Sequence, residues 1–381
     1  MNDAVNKALL PAGLGDLLPP EAEQEAALSA GLLAVFARYG YRRVKPPLVE
    51  FEEGLLDGVG AGMSDQTFRV MDPVSRRMMG LRADITPQVA RIADTRLKGA
   101  PRPLRVSYGG EVLRTTGSQL SPERQISQTG VELIGAAKAA AGDAEVIVLA
   151  AEALTEAGVG GLSIDLHVPP MAGAVCRAFG VSDDNYRALR TALDRKDAAA
   201  IADIGGDAAD LLGALLDTVG PAARGIEVLS RIALPEEAAA LRDRLTEVVE
   251  LVREAAPELT LTVDPVEQRG FEYHTGISFT VFAAGARGEL GSGGRYLTGA
   301  GEPATGFTVY MDSLMRVAPA LPPSLTLFVP IEVPASTSRA LRAEGWVTVH
   351  GLIAATDDRV EAKRLGCTHF YSAGTAQPVG G

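Results

Sequence analysis

The stretch Leu104–Gly135 reads LRVSYGGEVLRTTGSQLSPERQISQTGVELIG, two apolar runs joined by a polar segment without helical periodicity. Alternation within each run predicts a hairpin of β-strands, whose side chains point to two opposite faces. One face would carry Arg114, Gln128 and Glu132 beside glycines. These groups suit a small zwitterion, because the guanidinium pairs with a carboxylate, the carboxylate pairs with an ammonium, and glycine lets the ligand approach the backbone. On alternation alone, the preferred interpretation is an edge hairpin with a solvated polar face.

Composition limits the class of protein. The 381 residues suffice for two or three domains and a sizeable core. No apolar stretch approaches the ~20 residues that cross a bilayer, and the N-terminus lacks the apolar segment of a signal peptide, so we expect no membrane association. Two cysteines form neither a disulfide framework nor a zinc cluster, which is typical of a reduced cytoplasmic protein. The net charge of −12 argues against broad affinity for nucleic acid.

The hairpin resembles motif 2 of class II aminoacyl-tRNA synthetases, in the form found in histidyl-tRNA synthetases. The family pattern is Tyr-x-Gly-x-x-Phe-Arg-x-Glu, a loop, and Arg-Gln-Phe-x-Gln-x-Gly-x-Glu-x-x-Gly. The spacing agrees without gaps within each half, at Tyr108, Gly110, Arg114, Arg124, Gln125, Gln128, Gly130, Glu132 and Gly135. One position departs from the pattern: Thr116 stands where the family has a glutamate that helps to hold the adenine of ATP.

The N-terminal segment resembles motif 1 of the same family. Pro19-Pro20 and the apolar residues that follow at helical spacing predict a helix that begins near Glu21, and a strand follows over 41–44. Alone, this pattern would fit any helix followed by an edge strand. Motif 1 builds the homodimer interface of the family, so the resemblance implies self-association through this segment.

A second resemblance lies in Leu81-Arg82-Ala83-Asp84-Ile85-Thr86-Pro87, which follows a predicted hairpin over 67–79 and precedes a helix over 88–97. It is similar to the synthetase sequence Leu-Arg-Pro-Glu-Gly-Thr. There the acidic residue binds the α-amino group of the substrate and the threonine supports it, so Asp84 and Thr86 are expected in those roles. Without the family, a helix cap formed by either residue explains the pattern about as well.

Residues 268–276 resemble the histidine-specific signature Arg-Gly-Leu-Asp-Tyr-Tyr-Thr-Gly. The signature supplies an arginine near the substrate carboxylate and aromatic residues near its imidazole, which implies these roles for Arg269, Tyr273 and His274. His274 replaces a tyrosine of the pattern. An imidazole can still hydrogen-bond or stack there, and its protonation would add pH sensitivity.

The segment over 304–314 occupies the place of motif 3, after a glycine-rich loop over 291–296 that resembles the family's Gly-Gly-Arg-Tyr. Tyr310 stands at the inner glycine of the motif, and Ser313 replaces the arginine that stacks on ATP and neutralises its phosphates. A hydroxyl cannot replace a delocalised cation. Arg316, about one helical turn away, is a poor substitute. Loss of one such contact costs ~3 kcal/mol, or about two decades in rate.

These patterns predict an α+β fold: a class II aminoacyl-tRNA synthetase-like antiparallel sheet flanked by helices. The predicted parts are a first core segment (1–170), a helical insertion (171–257), a second core segment with the degraded motif 3 (258–320), and a small α/β domain (321–381). The last part resembles a shortened anticodon-binding domain, so anticodon recognition is in doubt.

A histidyl-tRNA synthetase core that keeps the amino-acid side and loses ATP contacts resembles the regulatory subunits of ATP phosphoribosyltransferase. The resemblance implies a subunit with no catalysis of its own and no cofactor. It would join a short catalytic subunit in a hetero-octamer that condenses ATP with phosphoribosyl diphosphate, the first step of L-histidine biosynthesis. It would be needed for full activity and for feedback inhibition by L-histidine. Two alternatives stay open, a divergent histidyl-tRNA synthetase and a synthetase-like module that binds tRNA without reacting.

The resemblance also defines candidate positions. It assigns histidine binding to Asp84, Thr86, Tyr108, Arg114, Gln128, Glu132, Arg269, Tyr273 and His274. It marks three positions where ATP contacts are lost: Thr116, Tyr310 and Ser313. No metal site is expected, since no second ligand stands at metal spacing from His167.

Overall fold

The computed structural model describes residues 9–117, 122–267 and 273–380. Contacts between Cα atoms divide the chain into two compact units, Met1–Pro319 and Ala320–Gly381. Arg269 falls outside the described residues. No helix in the described ranges combines the length and the apolar character that crossing a membrane requires.

The first part of the larger unit contains a long helix, short strands and the long hairpin. Its elements are α1 (Glu21–Arg38), β1 (Arg42–Arg43), β2 (Val49–Phe51), α2 (Glu52–Leu55), β3 (Arg69–Met71), β4 (Met78–Leu81), α3 (Thr86–Asp94), β5 (Leu104–Leu113) and β6 (Gln125–Ile134). A 3₁₀ segment, Gly58–Gln66, connects α2 to β3. Helix α1 begins after Pro20 with acidic residues in its first turn and ends before Gly40, whose φ of 83° suits a helix terminus.

The rest of this unit is mostly helical before it returns to strands. Its elements are α4 (Ala139–Glu156), β7 (Leu162–His167), α5 (Pro170–Ala178), α6 (Asp183–Asp194), α7 (Ala198–Ile204), α8 (Ala209–Leu216), β8 (Gly220–Pro221), α9 (Ala222–Ser230), α10 (Glu236–Ala255), β9 (Thr260–Asp264), β10 (Ser278–Ala283), β11 (Gly291–Leu297), β12 (Pro303–Tyr310) and α11 (Met311–Met315). The helical series predicted for 171–256 is therefore confirmed, apart from β8.

A nine-stranded sheet organises the larger unit, in the order β1-β5-β6-β12-β11-β10-β7-β9-β8. Most neighbours are antiparallel, and the pairs β1/β5 and β7/β9 are parallel. The central hairpin pairs Tyr108 with Gly130 and Gly110 with Gln128, so these residues lie on one face of the hairpin, as the alternation predicts. A separate three-stranded sheet has the order β2-β4-β3.

The two faces of the large sheet differ in chemistry. One face, the apolar face, packs against helices through residues such as Val131, Phe307, Phe279 and Leu166, which belong to one buried hydrophobic cluster. Phe36 of α1 meets Phe307 edge to face, with ring centroids 5.5 Å apart. The alternate residues of the same strands point the other way and form the polar face, which includes Glu132, Gly306, Thr308, Ser292, Gly294, Ser278, Thr280, Asp165 and His167.

The smaller unit contains β13 (Thr326–Val329), α12 (Ala335–Ala343), β14 (Val347–His350), α13 (Asp358–Arg364), β15 (His369–Ser372) and β16 (Thr375–Pro378). Its sheet has the order β14-β13-β15-β16. Strands β14 and β15 run parallel to β13, while β16 turns back antiparallel to β15. The predicted strand–helix alternation is confirmed, and β16 is an addition that the sequence did not indicate.

One prediction about backbone structure is wrong. The glycine-rich segment over 291–296 is not a loop but part of β11, inside the large sheet. Its glycines serve close packing between strands, because a Cβ at Gly293 would lie 2.3 Å from the carbonyl oxygen of Gly306. A side chain at Gly291 would similarly lie 2.2 Å from the carbonyl oxygen of Thr308.

Candidate ligand-binding site

Two adjoining cavities open on the polar face of the large sheet. The small cavity has a volume of about 20 Å³, room for about one water molecule. The larger cavity has a volume of about 540 Å³. They share four lining residues: His274, Ser292, Gly293 and Tyr310. Five of the predicted site residues line the small cavity: Asp84, Thr86, Glu132, Tyr273 and His274.

Glu132 is the central acidic group of the small cavity. Its side chain is 1% exposed and accepts hydrogen bonds from Thr86 Oγ1 at 3.0 Å and from the Tyr296 hydroxyl at 2.9 Å. The Tyr108 hydroxyl lies 3.4 Å from the same carboxylate. Burial raises the pKa of Glu132 to about 8, although the three hydroxyls oppose this shift. The protonated form of this buried side chain is therefore favoured at neutral pH.

Tyr108 lies behind this carboxylate rather than in the cavity. It is fully buried, and its hydroxyl forms a 2.7 Å hydrogen bond with Thr308 Oγ1. Burial raises the pKa of Tyr108 well above its ordinary value, so the phenol keeps its proton. Tyr108 therefore positions Thr86 and Glu132 by hydrogen bonding.

Asp84 is the second carboxylate of the small cavity. Its Oδ1 accepts the backbone N–H of Thr86 at 2.8 Å, and its Oδ2 accepts Gln128 Nε2 at 3.1 Å. Gln128 Oε1 in turn accepts the backbone N–H of Ile85 at 3.2 Å. Asp84 thus accepts a backbone N–H at the start of α3, although the N-cap residue of this helix is Ile85, and it also lines the cavity.

Glycines let these side chains approach the sheet. A Cβ at Gly306 would lie 2.0 Å from Glu132 Oε2, and one at Gly130 would lie 2.6 Å from the Tyr108 hydroxyl. A Cβ at Gly294 would lie 2.8 Å from His274 Nε2. Each position therefore excludes any larger residue unless the site rearranges.

His274 and Tyr273 form the wall of the small cavity. Their ring centroids are 4.8 Å apart with an interplanar angle of 47°, and Tyr273 meets Tyr296 edge to face at 5.8 Å. Burial lowers the pKa of His274 to about 4. The imidazole is therefore neutral at physiological pH. The protonation expected from the sequence occurs only under acidic conditions.

Of the remaining candidates, Tyr310 reaches the small cavity, and the others lie apart from it. Arg114 lines the larger cavity, where its Nε donates to the Ala83 carbonyl at 3.3 Å and its Nη2 is buried without a hydrogen-bond partner among the described residues. Ser313 also lines the larger cavity, while Tyr310 lines both and hydrogen-bonds Ser292 Oγ at 3.0 Å. Thr116 is exposed and lines neither cavity.

Comparison with known proteins places this geometry in a family. A family model described as histidyl-tRNA synthetase matches residues 13–314. A curated protein of Paramagnetospirillum magneticum, named ATP phosphoribosyltransferase regulatory subunit, is 58% identical over 97% of this chain and 97% of its own length. A protein of the same name from Rhodospirillum centenum is 55% identical over 98% of this chain and 96% of its own length.

The chain belongs to the family of ATP phosphoribosyltransferase regulatory subunits. A crystal structure from Bacillus halodurans, titled as an ATP phosphoribosyltransferase regulatory subunit/histidyl-tRNA synthetase, superposes with a TM-score of 0.81. It is 24% identical and covers 93% of this chain and 96% of its own. This similarity confirms the histidyl-tRNA synthetase-like fold predicted for this chain.

Two residues that help to build the small cavity and its surroundings are not among those predicted from the sequence. Tyr296 and Thr308 complete the hydroxyl groups around Glu132 and Tyr108. The indication was present, because Ser292, Gly294 and Tyr296 alternate along one strand and Thr308 has the parity of Gly306 on the next. Treating 291–296 as a loop concealed that alternation. Among the described residues, no group of three His, Cys, Asp or Glu side chains is arranged to hold a metal ion.

Proposed function

We propose that this chain is the non-catalytic regulatory subunit that a short catalytic ATP phosphoribosyltransferase requires for activity and for feedback inhibition by L-histidine. In this proposal the two chains form a hetero-octamer in the cytoplasm, and the regulatory chains pair with each other through α1 and β1. L-Histidine binds in the inherited pocket, which is built from Asp84, Thr86, Tyr108, Arg114, Gln128, Glu132, Arg269, Tyr273 and His274, with Tyr108 acting through Thr86 and Glu132.

One observation carries the proposal: groups suited to an amino acid are assembled around the small cavity, while two positions that contact ATP in the synthetase pattern have lost their charged residues. Two carboxylates, Asp84 and Glu132, are each held by at least two hydrogen bonds. At the positions where synthetases contact ATP, this chain offers the hydroxyls of Thr116 and Ser313. The nearby cation Arg316 already contacts Glu123 at 3.2 Å and Asp312 at 3.5 Å.

The acidic groups match the donors of histidine. Asp84 suits the α-ammonium group, because a carboxylate paired with an ammonium forms a charge-assisted hydrogen bond. Glu132 suits an imidazole N–H, because donation of that N–H would stabilise the ionised form of a carboxyl whose pKa burial raises to about 8. The guanidinium of Arg114 supplies a partner for the α-carboxylate at the side of the larger cavity.

The size of the small cavity supports regulation by a change of conformation. A volume of about 20 Å³ is too small to hold a whole amino acid, so L-histidine must either extend into the adjoining larger cavity, where Arg114 lies, or displace side chains such as Tyr273 and His274. A ligand that binds one arrangement better than another shifts the population between them. Inhibition then requires that the catalytic subunit is active with one arrangement and inactive with the other.

The decisive experiment reconstitutes the complex. The chain is mixed with a short-form catalytic subunit, and formation of phosphoribosyl-ATP from ATP and phosphoribosyl diphosphate is followed with and without L-histidine. We expect strong activation by this chain and loss of that activation with histidine. Glu132→Gln should keep the activation and weaken inhibition at least tenfold, while Glu237→Gln, on the exposed ion pair with Arg177, should behave as the native chain.

Two results would contradict the proposal. Histidine-dependent exchange of pyrophosphate into ATP by the purified chain would show a working synthetase. Salt-dependent binding of tRNA at physiological ionic strength, without any effect on the catalytic subunit, would show an RNA-binding module.

A further inference from the structure

The polar face continues beyond the small cavity, across strands that the histidine pocket does not use. The register aligns Glu132, Gly306, Gly294, Ser278 and His167 in one row across the sheet. The next row runs through Thr308, Ser292, Thr280 and Asp165. The distal ends of both rows line the larger cavity and are here called the distal site, which consists of Asp165, His167, Ser278 and Thr280.

Two buried polar atoms of the distal site have no partner among the described residues. They are Ser278 Oγ and His167 Nδ1, and their residues are 4% and 6% exposed. Ser278 and His167 are opposite each other in the antiparallel β10/β7 pair, so their side chains are neighbours on the same face. Buried polar groups are nearly always hydrogen-bonded, so two adjacent exceptions at a cavity wall indicate a ligand position.

The contacts of His167 determine which kind of group it offers. Its Nε2 lies 3.3 Å from Thr280 Oγ1 and 4.0 Å from Asp165 Oδ2. We assign the proton to Nε2, since both neighbours are oxygen atoms, and this leaves Nδ1 as an acceptor. Burial lowers the pKa of His167, which favours this neutral form, although the carboxylates of Asp165, Asp264 and Glu267 oppose the shift.

The carboxylate of Asp165 adds a third acceptor to the distal site. Asp165 Oδ1 accepts the Thr262 hydroxyl at 2.8 Å, its Oδ2 lies 4.0 Å from the neutral His167 ring, and no lysine or arginine among the described residues forms an ion pair with it. The carboxylate opposite His167 on β9, that of Asp264, is already neutralised, since Lys196 Nζ lies 2.5 Å from it. Asp165 Oδ2 is therefore a carboxylate oxygen available to the cavity.

We propose that the distal site binds the primary ammonium group of a small organic molecule. An ammonium has three N–H donors, which match the three acceptors Asp165 Oδ2, His167 Nδ1 and Ser278 Oγ. An alcohol supplies a single donor, and a carboxylate or an ionised phosphate has no donor to offer these three acceptors. The cavity volume of about 540 Å³ lies in the range of small-molecule sites. This inference does not depend on histidine binding in the small cavity.

The test uses three probes of equal length on the purified full chain: n-propylamine, propan-1-ol and propionate. Binding is followed by the side-chain nitrogen shifts of the histidines, of which the chain has four. We expect the amine to shift the His167 resonances with saturation at millimolar concentration, while the alcohol and the carboxylate leave them unchanged. Equal shifts with all three probes, or none with the amine, would overturn the proposal.

Variants separate the distal site from a general effect of charge. Asp165→Asn should weaken amine binding at least tenfold, whereas Asp184→Asn, at a side chain that is 90% exposed, should not. Ser278→Ala should weaken amine binding several-fold without lowering the thermal midpoint of the free protein, because it removes an unpartnered buried hydroxyl. Native-like amine affinity in both Asp165→Asn and Ser278→Ala would refute the assignment.

The two proposals fail separately. Amine binding is measured on this chain alone, whereas activation and feedback are measured on the complex with the catalytic subunit. A chain that activates its partner but does not bind the amine would contradict only the distal site. A chain that binds the amine but neither activates nor responds to histidine would contradict only the proposed function.

Discussion

The hydroxyl of Tyr296 donates a 2.9 Å hydrogen bond to Oε2 of Glu132, a residue 164 positions earlier in the chain. The contact crosses β12, which lies between β6 and β11 and has Gly306 opposite Glu132. Because Gly306 has no side chain, the phenol and the carboxylate meet across an intervening strand. The chemistry of the site therefore depends on strand order as much as on the residues themselves.

Glu132 should make folding stability depend on pH. Its pKa of about 8 in the folded chain exceeds its ordinary value of 4.5, so the native state holds a proton that the unfolded state releases between these values. The free energy of unfolding should then fall as pH rises through this range, by up to about 1.4 kcal/mol per pH unit. Urea denaturation of the native chain and Glu132→Gln from about pH 5 to about pH 8 measures this contribution, which the variant lacks. Parallel curves for the two proteins would contradict the burial argument.

Replacement of Gly306 by alanine should disrupt the site and destabilise the fold. The new Cβ would lie 2.0 Å from Glu132 Oε2 and 2.4 Å from the Val131 carbonyl oxygen. We expect a loss of about 1–3 kcal/mol in the free energy of unfolding, together with loss of histidine feedback in the reconstituted complex. The matched control is Gly213→Ala, in the interior of α8 with open space around it, which should stabilise the chain by up to ~1 kcal/mol. Equal effects of the two substitutions would count against the close approach.

The buried ion pair between Arg295 and Asp143, on the apolar face, should contribute strongly to the stability of the folded chain. Arg295 Nη2 lies 2.8 Å from Asp143 Oδ1, and the two side chains are 5% and 2% exposed. Asp143→Asn leaves the Arg295 cation buried without its counter-charge, which should cost about 3–5 kcal/mol. Chemical denaturation measures the loss, and Asp184→Asn at the surface provides the comparison. A midpoint unchanged in Asp143→Asn would mean that water already screens this pair.

His274 should titrate far below an ordinary histidine. Burial lowers its pKa from 6.5 to about 4, so the unfolded chain takes up a proton at a higher pH than the folded chain does. This residue should make the native state lose stability as pH falls through that interval. Titration of the four histidine side chains by NMR measures the pKa directly, with His274→Gln used to assign the resonance. A midpoint near 6.5 would show that the wall of the small cavity is open to water.

The sequence was sufficient for the hairpin and its polar face, because alternation and the ungapped motif spacing are local properties. Tyr296 and Thr308 could not be placed, since their proximity to Glu132 and Tyr108 arises from non-local strand pairing. The segment over 291–296 was mistaken for a loop because glycine is depleted in strands. In the folded chain the close approach of β12 requires those glycines, and this tertiary constraint outweighs the local preference.

The separation of the two sheet faces has a consequence for how such a protein can diverge. Since the residues that pack against helices and those that meet a ligand alternate along each strand, substitutions at every second position can alter chemistry while the hydrophobic interior is preserved. Insertion of one residue into a central strand would exchange the two sets, turning Glu132 toward the helices and Val131 toward the cavities. Evolution of new roles on this scaffold is thus confined to point replacement, and length changes are restricted to the connections between strands.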